Sequence, residues 1–127
     1  MNLEKVIFGF FILLALTMNL AFVAGDIDNP EHHSIWLLFA AIVVNFIATG
    51  LKLGDRSQVG ALLLATSLVA DLQLIVAASL WTLALAGTEV ALTPTEMTNV
   101  VSLALGALLA NVVSVVMLVT ETLLSGR

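Results

Sequence analysis

The sequence predicts an all-α, polytopic integral membrane protein whose four transmembrane helices form two antiparallel hairpins. Hydrophobic residues make up 61% of the 127 residues, charged residues make up 10%, and the mean hydropathy is +1.14. A soluble domain of this size has too much surface to hide so many apolar side chains. The apolar runs are also unbroken for about 20 residues each, which is typical of helices that cross a bilayer and not of alternating barrel strands.

Four spans are predicted within a single domain of residues 1–127, at about 4–25, 30–53, 57–86 and 94–124. The first apolar run is longer than the core of a signal peptide, so we interpret it as a span. Asn29 before Pro30 and Thr93 before Pro94 predict helix starts, and Glu96 completes a capping box with Thr93. Because the connections are short, helices that follow one another in the chain should be antiparallel neighbours.

The charges predict an orientation. In a four-span chain the basic residues would all lie on one side, and the positive-inside rule places that side, with both termini, in the cytoplasm; they are Lys5, Lys52, Arg56 and Arg127. The other side would hold only acids, namely Asp26, Asp28, Glu31, Glu89 and Glu96. This architecture resembles that of small four-span proteins of bacterial inner membranes, which implies an inner-membrane location.

Composition argues against several functional classes. The absence of cysteine excludes disulfides, thiolate metal sites and thiol catalysis. A net charge of −5 with only four Lys and Arg leaves no basic face for nucleic acid. No base–nucleophile pair is visible, so we expect no enzymatic activity and no cofactor, and an enzyme acting on lipid or quinone is the weakest alternative.

An acid lies among aliphatic residues in the stretch TSLVADLQLIV, where Asp71 is about 21 Å from the cytoplasmic end of its helix. Asn111 and Asn19 are predicted at similar depths, about 20 and 22 Å, and Asn45 at about 12 Å. A charge at mid-membrane costs about 2.5–3.5 kcal/mol, and no basic residue is predicted in the membrane beside Asp71, because all four lie at the ends of the spans. Asp71 is therefore either protonated, or ionised beside a cation or water. We predict an ion or proton path along these four residues.

Helices 3 and 4 also carry polar and small residues at matched depths, since facing residues should have numbers that sum to roughly 180. We predict a packing seam with Asp71 and Asn111 at its centre. The other members are Ser67, Ser79, Thr82, Asn99, Ser102, Gly106, Ala110 and Ser114. Small residues at such spacings let helices approach closely in lipid. Gln73 is predicted to point away from this seam, where it could face another subunit.

The first loop gathers carboxylates and imidazoles, which are potential metal ligands. These weak candidates are Asp26, Asp28, Glu31, His32 and His33. Their spacing matches no known metal-binding loop, so a solvated acidic loop is the preferred interpretation and no metal is predicted.

Two functions fit these observations. The first is an oligomeric channel or transporter in which Asp71 binds a proton or a monovalent cation. The second is an accessory or scaffold subunit of a larger membrane complex, in which Asp71 and Asn111 form a structural contact. Either function implies contact with the lipid bilayer and with other protein chains, whether copies of this chain or different subunits.

Overall fold

The computed structural model describes residues 3–55, 57–86 and 92–125, and within these ranges the chain is helical with no strand. The four long helices are α1 (Leu3–Val23), α2 (Ile35–Lys52), α3 (Gln58–Ala86) and α4 (Pro94–Ser125), and one turn of 3-10 helix covers Pro30–His32. All four are long and apolar enough to cross a membrane, so the predicted fold class is confirmed. Three charged residues used in the orientation argument, Arg56, Glu89 and Arg127, lie outside the described residues.

The helix starts follow local capping chemistry. Thr93 N–H donates to Glu96 Oε1 at 2.8 Å, and Glu96 N–H donates to Thr93 Oγ1 at 3.2 Å, which is the predicted capping box. Ser57 caps α3, since its hydroxyl oxygen accepts from Gly60 N–H at 2.9 Å.

The predicted start of helix 2 at Pro30 is wrong by five residues. Asn29 does cap a helical turn, because its Oδ1 accepts from Glu31 N–H at 3.0 Å. That turn ends at His33, whose backbone is extended. The ring of His33 contacts two backbone carbonyls of the preceding segment, so the chain must change direction before α2 begins at Ile35.

The four helices form a closed ring. Each helix packs against its neighbours in the chain, and α4 also packs against α1. A salt bridge joins α1 to α4, with Lys5 Nζ 2.8 Å from Glu121 Oε2. We call the end of the bundle that holds this salt bridge and Lys52 the basic end. The opposite end, with Asp26, is the acidic end.

Two apolar clusters fill the interior. The cluster nearer the acidic end includes Phe22, Leu74 and Trp81. The cluster nearer the basic end is built on Phe8, Ile12, Ala48 and Leu63. Many large apolar side chains cover the outside instead, as expected of a bundle whose solvent is lipid.

Candidate functional site

A layer of buried polar side chains separates the two apolar clusters. We call this set the polar layer, and its members are Asn19, Asn45, Thr49, Ser67, Asp71, Asn111 and Ser114. Along α1 the layer falls between Ile12 and Phe22, and along α2 it begins between Ala41 and Ala48. All four helices contribute at least one member. The polar layer therefore lies inside the bundle, with apolar side chains of the two clusters around it.

Asp71 is the acid of this layer, and its partner is Thr49 of α2. The carboxyl Oδ2 lies 2.5 Å from Thr49 Oγ1, and Asp71 is only 4% exposed. The same hydroxyl lies 2.9 Å from the backbone oxygen of Asn45. Since a hydroxyl carries one proton, it can donate fully to only one of these two oxygens. Both contacts are satisfied when Asp71 carries a proton and donates to Thr49, while Thr49 donates to Asn45.

Sequence reasoning placed Asp71 against Asn111 and missed Thr49. Thr49 is three residues before the end of α2, whereas Asp71 is thirteen residues after the start of α3. Their contact shows that α3 continues toward the basic end for about 15 Å beyond α2. Depths counted from a common membrane surface therefore put Asp71 and Thr49 at different levels, although the two side chains are in contact. The signal for Thr49 was its position four residues after Asn45, which puts both on one helix face.

Several polar atoms of this layer are buried without a hydrogen-bond partner among the residues that the structure describes. They are Nδ2 and Oδ1 of Asn19 and Asn111, Oδ1 of Asn45, Oδ1 of Asp71 and Oγ of Ser67. An unsatisfied buried polar atom costs about 1–3 kcal/mol. Such polar atoms on all four helices favour the binding of a polar species inside the bundle, such as a proton, a cation or water. Asn19 lies somewhat farther toward the acidic end than Asn111, by about 5 Å if the contact between Gly9 and Leu118 sets the register.

The predicted seam between α3 and α4 occupies only part of the hairpin. Ser67 and Ser114 are buried, and the hydroxyl of Ser114 is hydrogen-bonded to that of Thr66. Four predicted members lie instead on the exposed surface, namely Ser79, Thr82, Asn99 and Ser102. The interior near Ser79 and Thr82 is occupied by Trp81, whose ring centroid lies 6.1 Å from that of Phe22. This apolar packing turns the small polar side chains of α3 outward.

Gln73 packs against α4, so the prediction that it points away from that helix is wrong. A Cβ atom at Gly106 would lie 2.7 Å from Gln73 Nε2, which places the amide directly over the glycine. The physical reason is that α3 has neighbours on two sides. Asp71 faces α2 and Gln73 faces α4, although they lie on opposite faces of α3. Ala110, a further member of the predicted seam, is buried.

The loop at the acidic end engages its imidazoles in backbone contacts. The ring nitrogens of His33 lie 2.6 Å from Phe22 O and 2.8 Å from Asp26 O. Asp26 N–H donates to Nδ1 of His32 at 2.7 Å. Asp28 and Glu31 are exposed. In the described ranges, no three His, Cys, Asp or Glu side chains are placed to hold a metal ion together.

At the basic end, the side chain of Lys52 is buried at the last residue of α2. Its Nζ lies 4.4 Å from the centre of the Phe8 ring and 3.5 Å from Asp55 Oδ2. Asp55 also accepts hydrogen bonds from the backbone N–H and the hydroxyl of Ser57, at 2.9 and 2.8 Å. The bonds from Ser57, helped by Lys52, hold the pKa of Asp55 below its usual value.

A cavity of about 520 Å³ opens beside this pair, lined by Glu4, Ile7, Leu51, Lys52, Gly54 and Asp55. Lys52 follows Thr49 by three residues, so the cavity lies about one helical turn from the partner of Asp71. The polar layer is therefore closer to solvent at the basic end than at the acidic end.

Comparison with known proteins gives one family match, over residues 32–122. The matched segment holds Asn45, Thr49, Asp71 and Asn111, and α1 with Asn19 lies outside it. No curated protein and no solved structure matches the chain. Because the match covers well over half of the chain, the protein belongs to DUF6394, a family of unknown function.

Proposed function

We propose that this protein moves protons, or alternatively monovalent cations, across a membrane, and that Asp71 is the residue that binds them. The observation that carries this proposal is the buried contact between Asp71 and Thr49 in the polar layer. A leucine at position 71 would be more favourable for a purely structural helix, because an acid at membrane depth is costly. The acid is therefore best explained by an ion that it binds and releases.

The hydrogen-bonding around Thr49 favours the proton over a metal cation. Thr49 Oγ1 contacts both the Asp71 carboxyl and the Asn45 carbonyl, and both bonds are complete only with a protonated Asp71. When the proton leaves, the Thr49 hydroxyl can rotate and donate to the carboxylate instead. Thr49 is thus suited to stabilise both states of Asp71.

The two ends of the bundle would play different parts in this function. An ion could approach from the basic end through the cavity beside Lys52 and Asp55. The acidic end is closed by Phe22, Trp81 and His33, whose rings pack together. Because four helices enclose little space, we propose that the route past these rings opens in an oligomer, by movement at a protomer interface.

An accessory role is the second candidate, and one observation favours it. Four small polar side chains of α3 and α4, Ser79, Thr82, Asn99 and Ser102, are exposed on the outer surface of the bundle, where many large apolar side chains are also exposed. Polar groups of this kind commonly contact another helix in membrane proteins. Under this alternative the bundle docks on a larger membrane protein through that surface, and Asp71 fixes the packing of α2 against α3.

Flux measurements in proteoliposomes test the proposal. We would compare proton and Na⁺ or K⁺ flux through the wild type, Asp71→Asn and Asp28→Asn, because the last makes the same chemical change at an exposed loop acid. We expect flux in the wild type and in Asp28→Asn, and loss of at least ten-fold in a folded Asp71→Asn. Equal flux in all three would exclude a role for Asp71. No flux in any folded protein would favour the accessory role.

A further inference from the structure

Two adjacent histidines in the connection between α1 and α2 face opposite kinds of hydrogen-bonding group. The ring nitrogens of His33 lie 2.6 and 2.8 Å from two carbonyl oxygens, those of Phe22 and Asp26. His33 is only 5% exposed, so water has little access to these contacts. Carbonyl oxygens accept hydrogen bonds and cannot donate them.

The number of N–H groups on the ring decides which protonation state of His33 fits these two contacts. A neutral imidazole has one N–H, and its second nitrogen would present a lone pair to a carbonyl oxygen. The imidazolium has two N–H groups and satisfies both contacts. Phe22 also lies in the last turn of α1, where unpaired carbonyls and the helix dipole favour a positive charge.

His32 has the opposite surroundings. Asp26 N–H donates to its Nδ1 at 2.7 Å, and the amide nitrogen of Asn29 lies 3.3 Å from its Nε2. Since both neighbours are donors, the imidazolium form of His32 would face donors on each side. The loop is closely fitted around this ring, because a Cβ at Gly25 would lie 2.8 Å from His32 Nδ1 and Gly25 has a φ of +96°.

We propose that His32 and His33 form a proton-dependent latch over the acidic end of the bundle. The latch is closed when His33 is an imidazolium and His32 is neutral. Deprotonation of His33 removes one of its two bonds, either the one to Phe22 O at the end of α1 or the one to Asp26 O within the loop. Protonation of His32 removes its bond from Asp26 N–H. The inference is independent of the proposed transport function.

The latch is coupled to the aromatic side chains that close this end of the interior. The His33 ring lies 5.6 Å from the Phe22 ring, and Phe22 lies 6.1 Å from Trp81 of α3. Where the lost bond is the one to Phe22 O, its loss loosens the packing of Phe22 against Trp81. The protonation state of His33 in the loop thereby affects the packing of Trp81 in the bundle.

The charged groups around His33 all come from the same connection, as far as the chain is described. Asp26, Asp28 and Glu31 are the acidic residues of this connection. The His32 ring lies 6.4 Å away, and its protonation would oppose the charge on His33. The neighbouring helices present uncharged aromatic rings, Phe22 from α1 and Trp81 from α3.

The direct test is nitrogen NMR of ¹⁵N-histidine-labelled protein in lipid nanodiscs, between about pH 5 and 8, the range in which histidines change charge. His32→Gln and His33→Gln supply the assignments. We expect a pH interval in which His33 carries protons on both nitrogens while His32 carries one. A His33 ring with a single N–H throughout the interval in which His32 is neutral would overturn the proposal.

Trp81 fluorescence provides the second measurement, in a Trp36→Phe background that removes the other, exposed tryptophan. We expect the emission of Trp81 to shift when pH is raised, and the shift to be abolished in His33→Gln. His32→Gln is the matched control and should keep the high-pH shift. If the pH-dependent shift of Trp81 emission is unchanged in a folded His33→Gln, His33 does not control the packing around Trp81.

Discussion

At the scale of single residues, Thr49 explains how the bundle accommodates an acid. Its hydroxyl is the described partner of Asp71, and it can donate to the carboxylate or accept from the protonated carboxyl. No basic side chain is needed for either state. Lys52, the nearest cation along the same helix face, is engaged by Asp55 and the Phe8 ring.

Replacement of Thr49 tests this role. Thr49→Val keeps the shape but removes the hydroxyl, so Asp71 loses its partner while buried. We expect a loss of about 1–3 kcal/mol in the free energy of unfolding, together with reduced flux. Thr49→Ser, which keeps the hydroxyl, is the control and should retain flux. The measurement is denaturation in mixed micelles, and equal stability of Thr49→Val and Thr49→Ser would contradict the assignment.

At the scale of elements, the helix starts show what local sequence can predict. Thr93 and Glu96 satisfy each other within four residues, so the start of α4 was predictable from sequence alone. The start of α2 was not, because the extended backbone at His33 is held by carbonyls of Phe22 and Asp26, seven or more residues earlier. Such a contact depends on how the chain folds back and leaves no periodic pattern.

The start of α3 gives a prediction at the same scale. A Cβ at Gly60 would lie 2.1 Å from Asp55 Cγ, so Gly60→Ala should displace Asp55 from Ser57 and Lys52. We expect destabilisation of about 1–3 kcal/mol. Gly50→Ala is the matched control, since nothing lies within 4 Å of the added carbon and alanine favours a helix. In detergent, Gly60→Ala should therefore melt at a lower temperature than Gly50→Ala. Similar melting temperatures would show that Asp55 is not held against Gly60.

At the scale of the whole molecule, hydropathy predicted the four spans because each helix must meet lipid over its full length. It could not predict the offset between helices, which depends on the path of the α2–α3 loop. This is why Asp71, Asn111, Asn19 and Asn45 were all recognised as interior polar residues, while the partner of Asp71 was not. Which helix face is buried also depended on large side chains such as Trp81, which took the interior position near Ser79 and Thr82.

The predicted orientation can be checked with single cysteines, because the chain has none of its own. Ile27 in the acidic-end loop and Leu53 at the basic end are both exposed. If the positive-inside rule holds, a membrane-impermeant maleimide added to intact cells should label Ile27→Cys. Leu53→Cys should react only after the membrane is permeabilised. The reverse pattern would invert the orientation.

The early end of α2 has an electrical consequence. The cavity beside Lys52 lies about one helical turn from Thr49, whereas the rings of Phe22 and Trp81 pack in the interior toward the acidic end and would exclude water there. A membrane voltage falls mainly across the dry part, and a full crossing is worth about 2.3 kcal/mol per elementary charge at 100 mV. A charge passing between the cavity and Asp71 would therefore cross little of the field. Nearly all of the voltage sensitivity would belong to the step between Asp71 and the acidic end.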